Sequence, residues 1–271
     1  MRIVSLDLDN TLWPTAEVVG GANSATQRWL ASEYPRVTEL GLEVQAVIKE
    51  LRAAGAATPV DYRAIRYDAL RVCARRASYD EDTLANEGFA VWASARREGA
   101  TKWLDPEAVP ALEAIKASGV EICAITNGLG DAMQIDPLRP FLDFCINADP
   151  ASRKPRPDAF EAAARRYGVR TRAGGGVDDA QWVHVGDSLH DDVRGASRLG
   201  LRTVWLNPPE SAQSEVALRW QLQRGGGKLS EGAQQGGEPK AEEQASQPRP
   251  DAEIARLSEL PRAVAQLLEI G

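Results

Sequence analysis

Two carboxylates lie two residues apart near the start of the chain. The opening segment MRIVSLDLDNTL places Asp7 and Asp9 at the end of an aliphatic run that includes Ile3 and Leu6. Such a run is typical of a strand covered on both faces. A carboxylate there loses hydration, so it needs a metal ion, a cationic side chain or an anion-handling reaction to compensate it. The pair therefore predicts chemistry at the end of the first strand.

Other polar side chains follow later apolar segments. VEICAIT ends at Thr126 and is followed by Asn127, WVHVGD leads into Asp187, and Lys154 precedes a helical pattern. The carboxyl ends of parallel strands meet at one edge of a sheet, where ligands bind. The residues that we expect to meet there are Asp7, Asp9, Thr11, Thr126, Asn127, Lys154, Asp187 and Asp192.

Short apolar segments alternate with longer helical patterns along most of the chain. The segments RIVSLDL, VEICAIT, DFCINA, WVHVGD and LRTVWLN predict strands, and helical patterns start near Asp105 and Asp158. This alternation predicts an α/β fold, a Rossmann-like parallel sheet core flanked by helices. Residues 14–99 contain amphipathic helical segments without a convincing strand, which predicts an inserted α-helical cap domain.

A second irregular region precedes the C-terminus. Residues 208–250 form a low-complexity insert that we expect to be disordered, since from 225 onward they contain little that could pack. An amphipathic helical pattern then returns, and Pro261 is expected to break or kink it. The predicted domains are a core of residues 1–13, 100–207 and 251–271 and a cap of residues 14–99.

The composition excludes several classes of function. A chain of 271 residues that is 43% hydrophobic and 26% charged is typical of a globular protein. The net charge of −7 predicts no nucleic-acid partner. Apolar runs are too short to span a membrane and three separated cysteines suit a reducing compartment, so we expect a cytoplasmic protein without a membrane partner. The oligomeric state stays open.

Four segments carry a resemblance to a known family. DLDNTL, ITN, RKPRP and GDSLHDDVRGA resemble, in order and context, the motifs of the haloacid dehalogenase (HAD) superfamily, in its phosphatase branch with a helical cap. The resemblance implies Mg²⁺-dependent hydrolysis of a small phosphorylated metabolite through an aspartyl-phosphate intermediate. Asp7 would attack phosphorus, while Asp9 would protonate the leaving oxygen and later activate water.

The resemblance also implies ligands for the metal. Mg²⁺ would be held by the carboxylates of Asp7 and Asp187 and by the backbone carbonyl of Asp9. Thr11 and Asp192 would support the site. The family spacing favours Asp192 as the second acid after Asp187, with the neighbouring Asp191 capping the following helix.

Phosphate binding is assigned in the same way. Thr126 and the backbone at Asn127 would hold the phosphoryl oxygens. Lys154 would offset the negative charge of the transition state. The solvated-turn alternative for Lys154 is disfavoured by its order among the motifs and by the prolines that follow it.

The cap offers candidates for substrate specificity. In DYRAIRYDALRVCARR, helical spacing places Arg63, Arg66, Tyr67 and Leu70 on one face. We expect this face to be solvated, with recognition of a phosphorylated substrate as the alternative. Trp13, directly after the catalytic loop, is a further candidate that could stack on a planar group.

Substrate identity is the least constrained feature. Within the superfamily, CAITNG, HVGDSLHDDVRGASRLGL and FAVWASARR are most similar to phosphatases of FMN and of ribitylaminouracil phosphate, and other sugar or nucleotide-type phosphates are alternatives. A metal-independent 2-haloacid dehalogenase would also use an aspartate nucleophile but lacks an acid at the position of Asp9. A catalytically silent scaffold would have no reason to keep Asp7, Asp9 and Asp187.

Overall fold

The chain folds into two compact units. In the computed structural model, the described residues are 1–55, 61–171, 176–177, 181–208 and 248–270, so most of the predicted insert lies outside them. One unit comprises Met1–Thr15 and Trp103–Gly271, and the other comprises Ala16–Lys102.

The first unit is built on a six-stranded sheet with the order β3-β2-β1-β4-β5-β6. Every neighbouring pair of strands is parallel, which confirms the predicted α/β fold. The strands are β1 (Arg2–Leu6), β2 (Glu121–Thr126), β3 (Phe144–Asn147), β4 (Gln181–Gly186), β5 (Arg202–Leu206) and β6 (Ala252–Ile254).

Helices α1–α5 form the second unit, apart from the first residue of α1, and α6–α9 belong to the sheet unit. Their bounds are α1 (Thr15–Glu33), α2 (Pro35–Glu39), α3 (Val44–Ala53), α4 (Tyr62–Arg76), α5 (Glu81–Lys102), α6 (Ala108–Ala117), α7 (Asp158–Arg166), α8 (Arg194–Ser197) and α9 (Leu260–Leu267).

The central strands are covered on both faces. Ile3, Val4 and Leu6 of β1 are fully buried, as are Ile122 and Ile125 of β2. Helix α7 packs on β2 and β3, while α9 packs on α6 and β5. The predominantly aliphatic character of β1 therefore reflects its central position, and its carboxyl end lies between those of β2 and β4.

The C-terminal segment corrects the predicted helix. Ala252–Ile254 forms β6, which extends the sheet beside β5. Pro261 was expected to interrupt a helix, and this prediction is wrong, because Pro261 lies in the first turn of α9. Proline is tolerated there since the backbone N–H groups of a first turn have no partner within the helix.

Candidate active site

A tight loop follows β1 and carries the two aspartates. The backbone N–H of Asp7 donates to the carbonyl of Val185 at 2.8 Å, which fixes Asp7 beside the end of β4. Asn10 has φ +64°, and its side chain accepts from the N–H of Thr15 at 3.1 Å. Asparagine tolerates this left-handed conformation better than most residues. The chain therefore reverses directly after Asp9.

Lys154 lies between Asp7 of this loop and Asp192, which follows β4. Its buried ammonium group donates to Asp7 Oδ1 at 2.7 Å, to the carbonyl of Ile125 at 2.7 Å and to Asp192 Oδ1 at 2.6 Å. All three ammonium protons are thus used. A Cβ atom on Gly186 would collide with the Asp192 carboxylate, so only glycine at the end of β4 permits this arrangement.

Burial and charge act against each other at this cluster. Burial alone would lower the pKa of Lys154, but the charges of Asp192 and Asp7 outweigh it and raise that pKa. Burial would raise the pKa of Asp192, and Lys154 instead holds it below its usual range. Burial raises the pKa of Asp7, and the charges of Asp192 and Asp187 add to the effect against Lys154. One cation therefore pairs with two buried acids, and the charge of Asp187 is added to theirs.

Asp187 completes the acidic cluster. Oxygen atoms of Asp7, Asp187 and Asp192 all lie within 4.8 Å of one another. The Thr11 hydroxyl lies 3.4 Å from Asp7 Oδ2 and 3.4 Å from Asp187 Oδ1. Burial, followed by the charge of Asp192, raises the pKa of Asp187 to about 7. The negative charge at Asp7 and Asp187 exceeds what Lys154 compensates, which favours a divalent cation.

Asp9 contacts a different set of residues. Its Oδ1 accepts from the indole Nε1 of Trp13 at 2.8 Å, and Trp13 itself is buried. A Cβ atom on Gly128 would collide with Asp9 Oδ2 and lie 3.2 Å from Thr126 Oγ1. The buried Thr126 hydroxyl accepts from the N–H of Gly128 at 2.9 Å. Asp9 and Thr126 therefore line the same short turn after β2.

The side chain of Asn127 contacts the backbone of Lys154 and the carboxylate of Asp191. Its Oδ1 accepts from the N–H of Lys154 at 2.8 Å, and its Nδ2 donates to the Lys154 carbonyl at 3.0 Å and to Asp191 Oδ2 at 3.2 Å. The amide thereby fixes the backbone that carries the lysine. The expected helix cap at Asp191 is wrong, because Ser188 Oγ accepts from the Asp191 N–H and caps that turn.

A buried polar chain behind the site was not predicted. Trp182 Nε1 donates to Ser5 Oγ at 2.9 Å, Ser5 Oγ lies 2.8 Å from His184 Nδ1, and His184 Nε2 lies 3.2 Å from Asp192 Oδ1. Burial lowers the pKa of His184, which favours a neutral ring that donates to Asp192 through Nε2 and accepts from Ser5. The sequence signal was limited to the polar Ser5 and His184 within two aliphatic strands, because their pairing depends on the register of β1 and β4.

The residues proposed for specificity in the second unit are only partly solvated. Arg66 and Leu70 are buried, so the expected solvated face is wrong at these two positions. Tyr67 stacks on Phe89 with ring centroids 4.6 Å apart, and the Arg63 guanidinium lies 5.0 Å from the Phe89 centroid. The facing helix α5 provides these aromatic contacts.

Comparison with known proteins places the chain in a family. Residues 1–200 match the hydrolase family described as haloacid dehalogenase-like hydrolase, and the chain belongs to this family. It is therefore a hydrolase that shares the family's Rossmann-like fold. Among the described residues, no helix has the length and apolar character needed to cross a membrane.

Individual relatives include phosphatases and a dehalogenase. The chain is 26% identical over 211 residues to a glyceraldehyde 3-phosphate phosphatase of Methanopyrus kandleri, covering 75% of this chain and 83% of that protein. It is 26% identical over 211 residues to a 5-amino-6-(5-phospho-D-ribitylamino)uracil phosphatase of Escherichia coli, covering 76% and 83%. The crystal structure of a 2-haloacid dehalogenase from Pseudomonas syringae is 29% identical, with a TM-score of 0.68 and coverage of 98% and 99%.

Proposed function

We propose that this protein is a Mg²⁺-dependent phosphatase that hydrolyses a small phosphorylated metabolite through an aspartyl-phosphate intermediate. A sugar phosphate or a ribitylaminouracil phosphate fits the phosphatases to which the chain is similar. The helical unit is the proposed cap that selects the substrate. The single observation that carries the phosphatase assignment is the second carboxylate, Asp9, which lies near Thr126 in the loop that also carries Asp7.

The reaction divides into two displacements. In the first, a carboxylate oxygen of Asp7 forms a bond to phosphorus, the bond from phosphorus to the leaving oxygen breaks, and Asp9 gives that oxygen a proton. In the second, Asp9 takes a proton from water as the water oxygen attacks phosphorus, and the bond to Asp7 breaks. Inorganic phosphate leaves. Lys154, bonded to Asp7, opposes the negative charge that develops at phosphorus.

The acidic cluster fits a magnesium ion. Asp192 uses Oδ1 for Lys154 and Oδ2 for the N–H of Ser188, so Asp7 and Asp187 are the better ligands. The backbone carbonyl of Asp9 is the proposed third protein ligand. Hard carboxylate and carbonyl oxygens are the donors that Mg²⁺ prefers. When bound, the ion would offset the charge of the carboxylates and of the phosphoryl group.

A dehalogenase is the second candidate, because a haloacid dehalogenase is among the similar structures. That reaction needs an aspartate nucleophile but neither a metal nor a proton for the departing halide. Asp9 would have no function in it, and the excess of acid over cation near Asp187 would stay uncompensated. The acids therefore favour the phosphatase.

A paired assay separates the two reactions. We expect p-nitrophenyl phosphate to be hydrolysed only with Mg²⁺, activity to disappear on chelation and return on adding the metal, and 2-chloropropionate to release no chloride. Aspartate nucleophiles need the metal to approach an anionic phosphoryl group, whereas they displace halide from carbon without it. Metal-independent chloride release without phosphate release would replace the phosphatase with the dehalogenase.

The raised pKa of Asp187 predicts how metal binding depends on pH. Burial keeps this group protonated up to about pH 7 in the metal-free protein, and a metal ligand must lose its proton. We therefore expect the dissociation constant for Mg²⁺ to rise by about tenfold or more for each pH unit below 7, since the pKa of Asp7, the other carboxylate ligand, is raised as well. Isothermal titration without substrate measures this constant directly. Equal affinity at roughly pH 5.5 and pH 8, on either side of the shifted pKa, would exclude Asp187 as a ligand.

A further inference from the structure

Arg66 is a buried cation in the helical unit, and no described residue gives it an anionic partner. The residue is 8% exposed, and its guanidinium carbon lies 3.8 Å from the centroid of the Trp92 ring. Nη1 donates to the carbonyl of Tyr62 at 3.2 Å. Within the described residues, Nε is buried with no hydrogen-bond acceptor, and none is found for Nη2 either. One edge of the guanidinium therefore keeps its donors unused.

The position of Arg66 is fixed by packing around it. A Cβ atom on Gly88 of α5 would lie 2.9 Å from a methyl carbon of Leu70, so this glycine allows α4 and α5 to approach closely. The Trp92 ring is fixed in turn by a hydrogen bond, because its indole Nε1 donates to Asn23 Oδ1 at 2.9 Å. The guanidinium plane is thus oriented before any ligand arrives, which lowers the entropic cost of binding.

The charges around Arg66 are positive. Burial, followed by the charges of Arg96 and Arg52, lowers the pKa of Arg66 to about 10. Arg96 is itself only 4% exposed. A guanidinium with this pKa still carries its proton at neutral pH, so the cluster holds positive charge in a poorly hydrated place.

More exposed arginines of the same unit are paired. Arg76 binds Glu50, Arg75 binds Glu81 through two nitrogens, and Arg71 binds Asp82. Arg66 has no such ion pair within the described residues, although burial makes the need for one greater. The contrast indicates that an anion from outside the described residues is the missing partner.

We propose that Arg66 is the anchor of an oxyanion-binding site in the helical unit, and that its Nε and Nη2 groups receive two oxygens of one carboxylate or phosphate. Both classes present oxygens at the spacing that the edge of a guanidinium fits. The Trp92 face stabilises the cation without taking either of these two donors. This binding does not depend on the proposed hydrolysis, so the two can be tested apart.

The Nε–H resonance of Arg66 is the direct probe. Titrating ¹⁵N-labelled full-length protein with malonate, and separately with inorganic phosphate, should shift this resonance to a saturating value. Arg66→Lys assigns the signal by its disappearance, and contacts with the Trp92 indole protons assign it in the wild type if that variant does not fold. The Nε–H of Arg63, an exposed arginine on the same helix, is the internal control and should not saturate.

Kinetics then distinguish the source of the anion. With glycerol 3-phosphate and 3-phosphoglycerate, which differ by a carboxylate, a wild-type preference for the latter that Arg66→Lys loses and Arg63→Lys keeps identifies a group of the substrate. An unchanged preference together with a saturable shift identifies a free anion. An Arg66 resonance that does not respond to malonate or phosphate, or that shifts without saturating as Arg63 does, would overturn the site, whether or not the protein proves to be a phosphatase.

Discussion

Asp7→Asn should abolish turnover of an aryl phosphate while the protein stays folded. An amide cannot attack phosphorus, and loss of a nucleophile typically lowers kcat by about 10⁴-fold or more. The change is nearly isosteric and removes a carboxylate whose burial is costly, as its raised pKa shows. Stopped assays with Mg²⁺ give kcat, and circular dichroism checks the fold.

Asp143→Asn is the matched control for that variant. Asp143 also pairs with a lysine, at 3.1 Å from Lys116 Nζ, but it lies outside the candidate site. We expect the control to keep nearly full activity. Comparable kcat values for the two variants would remove Asp7 from the reaction.

Lys154→Met should damage both stability and activity. The substitution leaves Asp7 and Asp192 buried without their shared cation, and breaking a buried ion pair costs roughly 3–5 kcal/mol. It also raises the pKa of Asp7 further, so the nucleophile is protonated, and we expect kcat to fall by about 10²-fold or more. Urea unfolding without added Mg²⁺ and steady-state kinetics measure the two losses.

Lys116→Met isolates the effect of burial. Lys116 also contacts two carboxylates, Glu121 at 2.9 Å and Asp143 at 3.1 Å, but its side chain is 33% exposed. A solvated pair of this kind contributes about 1 kcal/mol or less. Equal losses of unfolding free energy in the two methionine variants would mean that the interactions of Lys154 are no stronger than those at the surface.

The sheet and its acidic edge could be predicted because they depend on local patterns. Aliphatic runs that end in Asp7 and Asp187 identify central parallel strands and the edge at which they finish. The strand β6 could not be predicted in this way. Only three residues long, it forms because it pairs with β5 at the edge of the sheet, and its sequence fits a helical pattern equally well.

The side-chain partners in the site depend on tertiary contacts. His184 reads as a strand residue, and only the register between β1 and β4 brings it beside Ser5, while the turn after β4 returns Asp192 to it. Arg66 lies on the helix face that was expected to be solvated. Helical spacing alone cannot show that Trp92 of α5 covers this arginine. Pairings that join remote parts of the chain are not encoded in local periodicity.

Chemical trapping at Asp7 tests the covalent mechanism most directly. Asp9→Asn lacks the base that activates water, so with p-nitrophenyl phosphate, whose leaving group needs no proton, the phosphorylated enzyme should accumulate. Reduction by borohydride converts an aspartyl phosphate to homoserine, which peptide mass spectrometry locates. We expect homoserine at position 7 only when Mg²⁺ and the phosphate ester are both present. Continued release of nitrophenol with unmodified Asp7, or modification at a different aspartate, would contradict the assignment of Asp7 as the nucleophile.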